Sequence, residues 1–573
     1  MTQHGILHRA LGQEHFARSA FANPGVFGRM FPGLPVFAFS DEMLTALDAK
    51  MQEDSKEPAA LGGGGPVNPR IPAGFTFLGQ FVDHDITFDP TSSLERQNDP
   101  EAIRNFRTPL LELDSVYGSG PVASAHLYDS SAGPRAFPTK LLIGLDSKGQ
   151  ENDLPRNRQG TALLGDPRND ENLIISQLHL AFLKFHNKVV DYIQANGNED
   201  GTKPVDNRMA FADAQRIVRW HYQWIVLNEF LPLIVGEDRV NDILGSTGPL
   251  VGQDPIGNVL DKLGYFRWKE EPYIPIEFAA AAYRFGHSQV RAGYSINNQF
   301  GSLLFPDSPT GPSLFVGRNL VEDAGGHKVL RADRLLDWAR FNHIPGVTAP
   351  DGFPQESKKI DGIISPSLFT LPMIDPGKPN DPRSLPLRNM MRGRSFRLPW
   401  GQVVACAMSA KHVLSDDELQ IKGLGFPEGR APLWYYILKE AEVQHGGEHL
   451  GEVGGRIVAQ VLVGLLVGDQ KSYLSSNRYW KPFLPAEHTG DFKLGDLFDF
   501  AGVGTVTIEP SQQPAPTPPQ RRVHVVQRGD TLRSIAARLL GSEMRWREIF
   551  EANRNTISDP DKIRPGQELI IPG

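Results

Sequence analysis

A mainly α-helical body followed by a small α+β module of βααβ order is the fold class this sequence predicts. Amphipathic helical segments separated by long Pro/Gly-rich loops run from Ile71 to about Phe500, and alternating strand patterns are scarce. A Pro/Gln-rich stretch after Val506 then detaches about fifty residues with a pattern of their own. At 573 residues the chain exceeds one ordinary core, so two or more folded units are expected.

Taken in order, residues 1–70 are rich in Phe, Gly and Pro and end in the flexible run Gly62-Gly63-Gly64-Gly65-Pro66, and are read as an extension packing on the body. The body spans 71–506, with helices expected over 172–194, 210–229, 276–290, 434–442 and 452–467. No fixed-period repeat is visible, which favours a domain built round a large prosthetic group over a solenoid. Residues 507–521 form a semi-rigid polyproline-like linker, and 522–573 form the second module.

Hydrophobic content of 40% and charged content of 22% are globular values. A net charge of -8 without a basic stripe argues against nucleic acid as a partner. Cys406, the one cysteine, has no internal disulfide partner, and its apolar neighbours predict burial. The first residues show no basic segment leading into an apolar core, so no signal peptide is visible, and the run from Ile457 to Gly468 is short of the roughly 20 residues a membrane span needs. The compartment is left open between the cytoplasm and an unconventional route to the cell envelope.

Candidate chemistry begins at Phe77-Leu78-Gly79-Gln80-Phe81-Val82-Asp83-His84-Asp85-Ile86. As a helix this stretch sends Gln80, Asp83 and His84 towards one side and turns Asp85 about 100° further round. An imidazole among apolar neighbours is neutral near pH 7 and suits a proton acceptor. Asp166-Pro167-Arg168 carries a helix-start signature, with Arg168 and Glu171 three residues apart before a nearly apolar run; a buried permanent cation there needs an anionic reason. Further on, Arg284-Phe285-Gly286-His287 follows four alanines, and small side chains let a planar macrocycle approach the backbone. The run Asn389-Met390-Met391-Arg392 lies in a basic loop, and Thr108, Leu110, Glu112 and Asp114 offer oxygens at alternate positions for a hard cation.

In their order along the chain the five segments resemble those of the animal-type haem peroxidases, the peroxidase-cyclooxygenase superfamily, over roughly residues 70 to 490. The resemblance implies haem b with His287 as axial ligand, Asn389 accepting its second N–H, and Arg284 and Arg392 on the propionates. It implies reduction of hydrogen peroxide, with His84 moving the proton, Arg168 stabilising developing charge and Gln80 holding water or halide. Asp83 and Glu171 match the carboxylates that esterify haem methyl groups in mammalian members. Asn172 stands where one member has a methionine link, so that third link and chloride oxidation are not expected; bromide, iodide, thiocyanate or phenolic donors are. Asp85, Thr108, the Leu110 carbonyl, Glu112 and Asp114 match a calcium site, although Glu112 and Asp114 depart from the side chains usual there. Residues 523–572 resemble a LysM module, which implies binding of N-acetylglucosamine glycans such as peptidoglycan.

Two other readings are kept. A fatty-acid dioxygenase of the cyclooxygenase branch needs a tyrosine three residues before the axial histidine, where this chain has Arg284; Tyr283, on a continuous helix, would point about 100° away. A wall-binding or adhesive protein with a vestigial haem site could use Arg528-Gly529-Asp530, although these residues suit a tight turn. His445 and His449 are read as a surface loop, since the intervening glycines break the helix that would align them.

Overall fold

In the computed structural model, the described residues are 27–53, 66–88, 105–131, 133, 136–244, 255–305, 312–350, 352–371, 382–509, 522–540, 542–554 and 556–571. The Gly62–Gly65 run, residues 1–26 and most of the Pro/Gln-rich stretch lie outside them. The chain divides into two compact units, Met1–Ile508 and Glu509–Gly573.

In the first unit, helix α1 (Asp41–Met51) is capped by Ser40 and buries Leu44, Leu47 and Met51 along one face. The segment before it is tied to the body. Gly28 bridges Pro275, and the fully buried Glu277 carboxylate accepts the backbone N–H groups of Met30 and Phe31 at 3.0 and 3.2 Å.

Helix α2 (Gly74–Ile86) carries the first candidate segment and buries Phe75, Phe77, Leu78, Phe81, Val82 and Ile86. Its first turn presses on the loop before Phe341: a Cβ at Gly74 would sit 2.8 Å from the Phe341 carbonyl oxygen, so only glycine fits. Phe81 stacks on Phe182 of α3 (Leu173–Asn196), with ring centroids 4.6 Å apart and planes 6° from parallel. Such a pair adds about 0.5–1.5 kcal/mol beyond area burial and fixes one helix against the other.

The helix start expected at Asp166 is instead a separate 3-10 turn, Pro167–Asp170. Two successive caps cause the break. Asp166 accepts Arg168 N–H, and Asn172 accepts the N–H groups of Ile174 and Ile175, each with extended backbone as N-caps require. Helix α4 (Asn207–Ile225) follows and runs into a π-helical turn, Val226–Phe230.

The helix expected over 276–290 is broken into Ile276–Ala279, a 3-10 turn Ala282–Phe285 and Gly286–Gln289. Arg284 Nε donates to the Ala279 carbonyl at 3.0 Å, taking an acceptor that a continuous helix would use. Helices α5 (Leu385–Ser395), α6 (Leu433–His445) and α7 (Glu452–Gly468) complete the frame. The buried Glu440 carboxylate of α6 accepts the first N–H groups of α7 from Val453 and Gly454.

Cys406 is exposed, contrary to expectation. Its short helix, Gly401–Ala407, turns Val404 and Ala405 inward, which leaves Cys406 on the outer side. His445 ends α6, Gly446 takes the left-handed cap conformation, and the His445 and His449 rings lie 3.9 Å apart. Among the described residues, strands form only two-stranded pairs, and no helix is long and apolar enough to cross a membrane.

The second unit has the expected order. Strands Arg522–Val525 and Glu568–Ile571 pair antiparallel, with helices Leu532–Leu540 and Trp546–Ala552 between them. Ile535, Ala536, Ile549, Leu569 and Ile571 form its core. Asn553 staples the second helix to the last strand, donating to Ile570 O and accepting Ile570 N–H. Gly529 turns with φ +95°, and Asp530 is drawn inward to His524 at 2.7 Å and to Gln527 N–H. Its carboxylate is thus occupied in the turn, as a tight turn at Gly529-Asp530 requires.

Candidate active site

Helix α2 and the broken 276–289 segment face each other across a cavity of about 280 Å3. His84, Gln80 and Asp83 line it from α2, Glu171 and Asn172 from the start of α3, and His287, Gly286, Arg284 and Tyr283 from the broken segment. A Cβ built on Gly286 would meet nothing within 4 Å, so the backbone there borders open space. The wall therefore leaves room for a flat group beside the backbone, between two imidazoles.

Both imidazoles are held by asparagines. His84 Nδ1 lies 2.7 Å from Asn169 Oδ1, and His287 Nδ1 lies 2.7 Å from Asn389 Nδ2. Burial, and next the charge of Arg168, push the His84 pKa down to about 4; burial, and next Arg284, push that of His287 down to about 3. Each ring is neutral at pH 7, as a proton acceptor or an iron ligand must be.

Asn389 does not take the part expected of it. Arg284 Nη1 donates to Asn389 Oδ1 at 2.9 Å, so the amide nitrogen, not the oxygen, faces His287. Arg392 is not among the cavity-lining residues; its guanidinium lies over the Phe396 ring at 4.7 Å. Arg168 is also turned away from the cavity wall. It donates to Asp166 and to the backbone carbonyls of His84 and Thr87, and approaches Asp83 at 3.9 Å. Asp166 bonds Arg107 as well, at 2.7 Å, and supplies the anion that a buried Arg168 needs.

Tyr283 differs most from expectation. Although neighbours in the 3-10 turn are still about 120° apart, Tyr283 and Arg284 both line the cavity, with the Tyr283 ring stacked on Phe278 at 4.6 Å. Its hydroxyl is buried without a hydrogen-bond partner, and burial, then Asp83, raises its pKa well above 10.

On the far side of α2, Asp85 is fully buried and accepts Leu113 N–H at 3.1 Å. Burial, then the charges of Asp114 and Glu112, push its pKa up to about 8, and its Oδ1 has no hydrogen-bond partner. The Thr108 hydroxyl donates to Asp114 at 3.3 Å. Among the described residues no three His, Cys, Asp or Glu side chains converge as a metal-binding group.

Residues 91–331 match the family model for the animal haem peroxidase. The chain carries an animal haem peroxidase domain. The matched span contains Arg168, Glu171 and His287, while His84 precedes it and Asn389 follows it. Residues 524–572 match the LysM domain. Among curated relatives of the peroxidase domain, chorion peroxidase of Aedes aegypti is 31% identical over 192 residues, 32% of this chain and 21% of that protein. Thyroid peroxidase of Mus musculus is 27% identical over 202 residues, 33% of this chain and 20% of that protein. The chain thus spans about a fifth of the length of these relatives. Among solved structures, peroxidase A of Dictyostelium discoideum shares the fold, with a TM-score of 0.55 at 13% identity over 85% of this chain and 96% of that one. Fatty acid alpha-dioxygenase of Oryza sativa does so with a TM-score of 0.51 at 14% identity, over 92% and 82%.

Asn169 and His179 were not singled out from the sequence. Asn169 sits between Arg168 and Asp170 and is fully buried, as is His179 on α3. The available signal was His179 itself, a polar residue buried on α3 together with Ser176, Gln177 and His186.

Proposed function

We propose that the first unit is a haem peroxidase that reduces hydrogen peroxide at the expense of halide, thiocyanate or phenolic donors, and that the LysM domain binds N-acetylglucosamine glycan such as peptidoglycan. One observation carries the reading: the imidazoles of His84 and His287 line the same cavity, each with Nδ1 held by an asparagine. The haem peroxidase family implies the haem, and the open wall at Gly286 fits it.

His287 would ligate the iron through Nε2, and Arg284 would meet a carboxylate of the group. For Nε2 to be bare, the Asn389 oxygen must take the Nδ1 proton, which requires Arg284 to redirect its donor; a carboxylate is such an acceptor. Arg392, on the same helix as Asn389, would be the second basic group near the propionates. When bound, the haem supplies an oxidising centre at which the peroxide O–O bond is cleaved. His84 accepts the peroxide proton at Nε2 and returns it to the departing oxygen, while Gln80 orients water or the donor. Arg168, held off the cavity wall by Asp166, would favour developing negative charge through its field, the same field that acts on His84.

Asp83 and Glu171 on the cavity wall would form ester links to the haem. Acid acetone is therefore expected to leave haem on the protein after peroxide treatment and to extract it from Asp83→Asn/Glu171→Gln; complete extraction from the unaltered protein would remove the ester proposal.

Calcium at Asp85, Thr108, the Leu110 carbonyl, Glu112 and Asp114 belongs to the same reading. The buried Asp85 Oδ1 without a hydrogen-bond partner supports it, since a cation would offset the charges of Asp114 and Glu112 that, after burial, raise Asp85. Dialysis against a chelator should lower the melting temperature, calcium should restore it, and Asp85→Asn should abolish the response in calorimetry.

The deciding experiment is an optical spectrum of the haem-loaded protein with peroxide, followed by each halide, thiocyanate and a phenol, recording which donor returns the ferric Soret band. The second reading, a fatty-acid dioxygenase, draws support from Tyr283 on the cavity wall. Oxygen uptake with a polyunsaturated fatty acid, abolished by Tyr283→Phe, would replace the peroxidase reading.

A further inference from the structure

The turn that presents Arg168 also buries an amide beneath the distal imidazole. Asn169 is fully buried, and its two polar ends meet two ring nitrogens: Oδ1 lies 2.7 Å from His84 Nδ1, and Nδ2 lies 3.0 Å from His179 Nδ1. His179 is itself fully buried on α3, with its ring edge-on to Phe81 of α2. The bridge thus ties the Pro167–Asp170 turn to α2 and α3.

An amide oxygen accepts and cannot donate, so the proton of the neutral His84 ring must sit on Nδ1. That leaves Nε2 unprotonated, and Nε2 is the nitrogen opposite the Asn169 bond. We propose that Asn169 is a positioning residue for His84, holding the imidazole as the tautomer whose Nε2 accepts the peroxide proton, with His179 fixing the sense of the amide. The inference rests on the peroxidase reading and adds the group that makes His84 a base at the right atom.

His179 gives the amide its direction. Its Nδ1 faces Asn169 Nδ2 and accepts from it, so reversing the amide would require both rings to exchange tautomers. The other polar groups near His84 are the charged Asp83, Asp166 and Arg168, none of which hydrogen-bonds its ring. Among the described residues Asn169 alone bonds the ring, and it does so without placing a charge under it.

The test uses the full chain loaded with haem, with haem content measured first from the alkaline pyridine spectrum. Asn169→Leu keeps the shape and removes the acceptor; Asn169→Asp keeps the shape and the acceptor. The readouts are the association rate of cyanide, which binds as an anion after its acid hands a proton to the distal base, and the rate of reaction with hydrogen peroxide. At equal haem content, Asn169→Leu should slow both by about 10–100-fold, and Asn169→Asp should stay within about threefold of the unaltered protein. The result that overturns the proposal is an unaltered rate in Asn169→Leu, or Asn169→Asp as slow as Asn169→Leu, which would make the residue packing or a donor. Should the leucine variant not load haem, Asn169→Ala takes its place in the comparison with Asn169→Asp. An unaltered protein that takes up no haem at all would overturn the peroxidase reading itself, and the pyridine spectrum separates that failure from the first.

Discussion

Replacing His84 by leucine should lower the rate of reaction with hydrogen peroxide by about 10²–10⁴-fold, the range expected when a positioned proton acceptor is removed. Haem content should stay at the unaltered level, because His84 is not the proposed ligand. Stopped-flow mixing of the haem-loaded protein with peroxide measures both, and an unchanged rate would deny His84 its role. The pH dependence follows from the same environment. Burial first, and Arg168 second, hold the His84 pKa at about 4, so the ring is free to accept a proton throughout the neutral range. Acid removes the acceptor by protonating it. The rate should therefore be flat from about pH 5 upward and fall by about tenfold per pH unit below about pH 4.

His287→Ala is expected to abolish haem binding. The ring is buried, bonded at Nδ1 by Asn389 and kept neutral by burial and Arg284, and its Nε2 becomes free to ligate once the Asn389 amide turns its oxygen to Nδ1. Reconstituted protein should show no Soret band, and added imidazole, small enough to occupy the vacated space, should restore part of it. Asn389→Ala should be milder, weakening haem affinity by about 10–100-fold, as loss of a group that orients a metal ligand does. A full Soret band in His287→Ala would place the ligand elsewhere and remove the basis of the peroxidase reading.

Helix α2 was legible because its information is local. The period of Phe77, Leu78, Phe81 and Val82 sets the buried face of α2 and hence the side on which Gln80, Asp83 and His84 emerge. The LysM domain was legible for the same reason, with short strands, two amphipathic helices and turn residues in a fixed order. The 276–290 segment was not, because its break depends on Arg284 reaching back to the Ala279 carbonyl, and periodicity does not record which donor wins an acceptor. With the break, Tyr283 moved onto the cavity wall, where helical geometry had placed it away.

By itself the sequence determined which side chains were available, how the principal helices present them, and the order of segments that marks the family. Only the tertiary structure decided the partners of those side chains. Asn169 is 85 residues from His84, Asn389 is 102 residues from His287, and Arg168 takes carbonyls more than 80 residues away. Hydrogen bonds have a reach of about 3 Å and a preferred direction, so contacts of this kind exist only once packing has brought distant segments to their final separation.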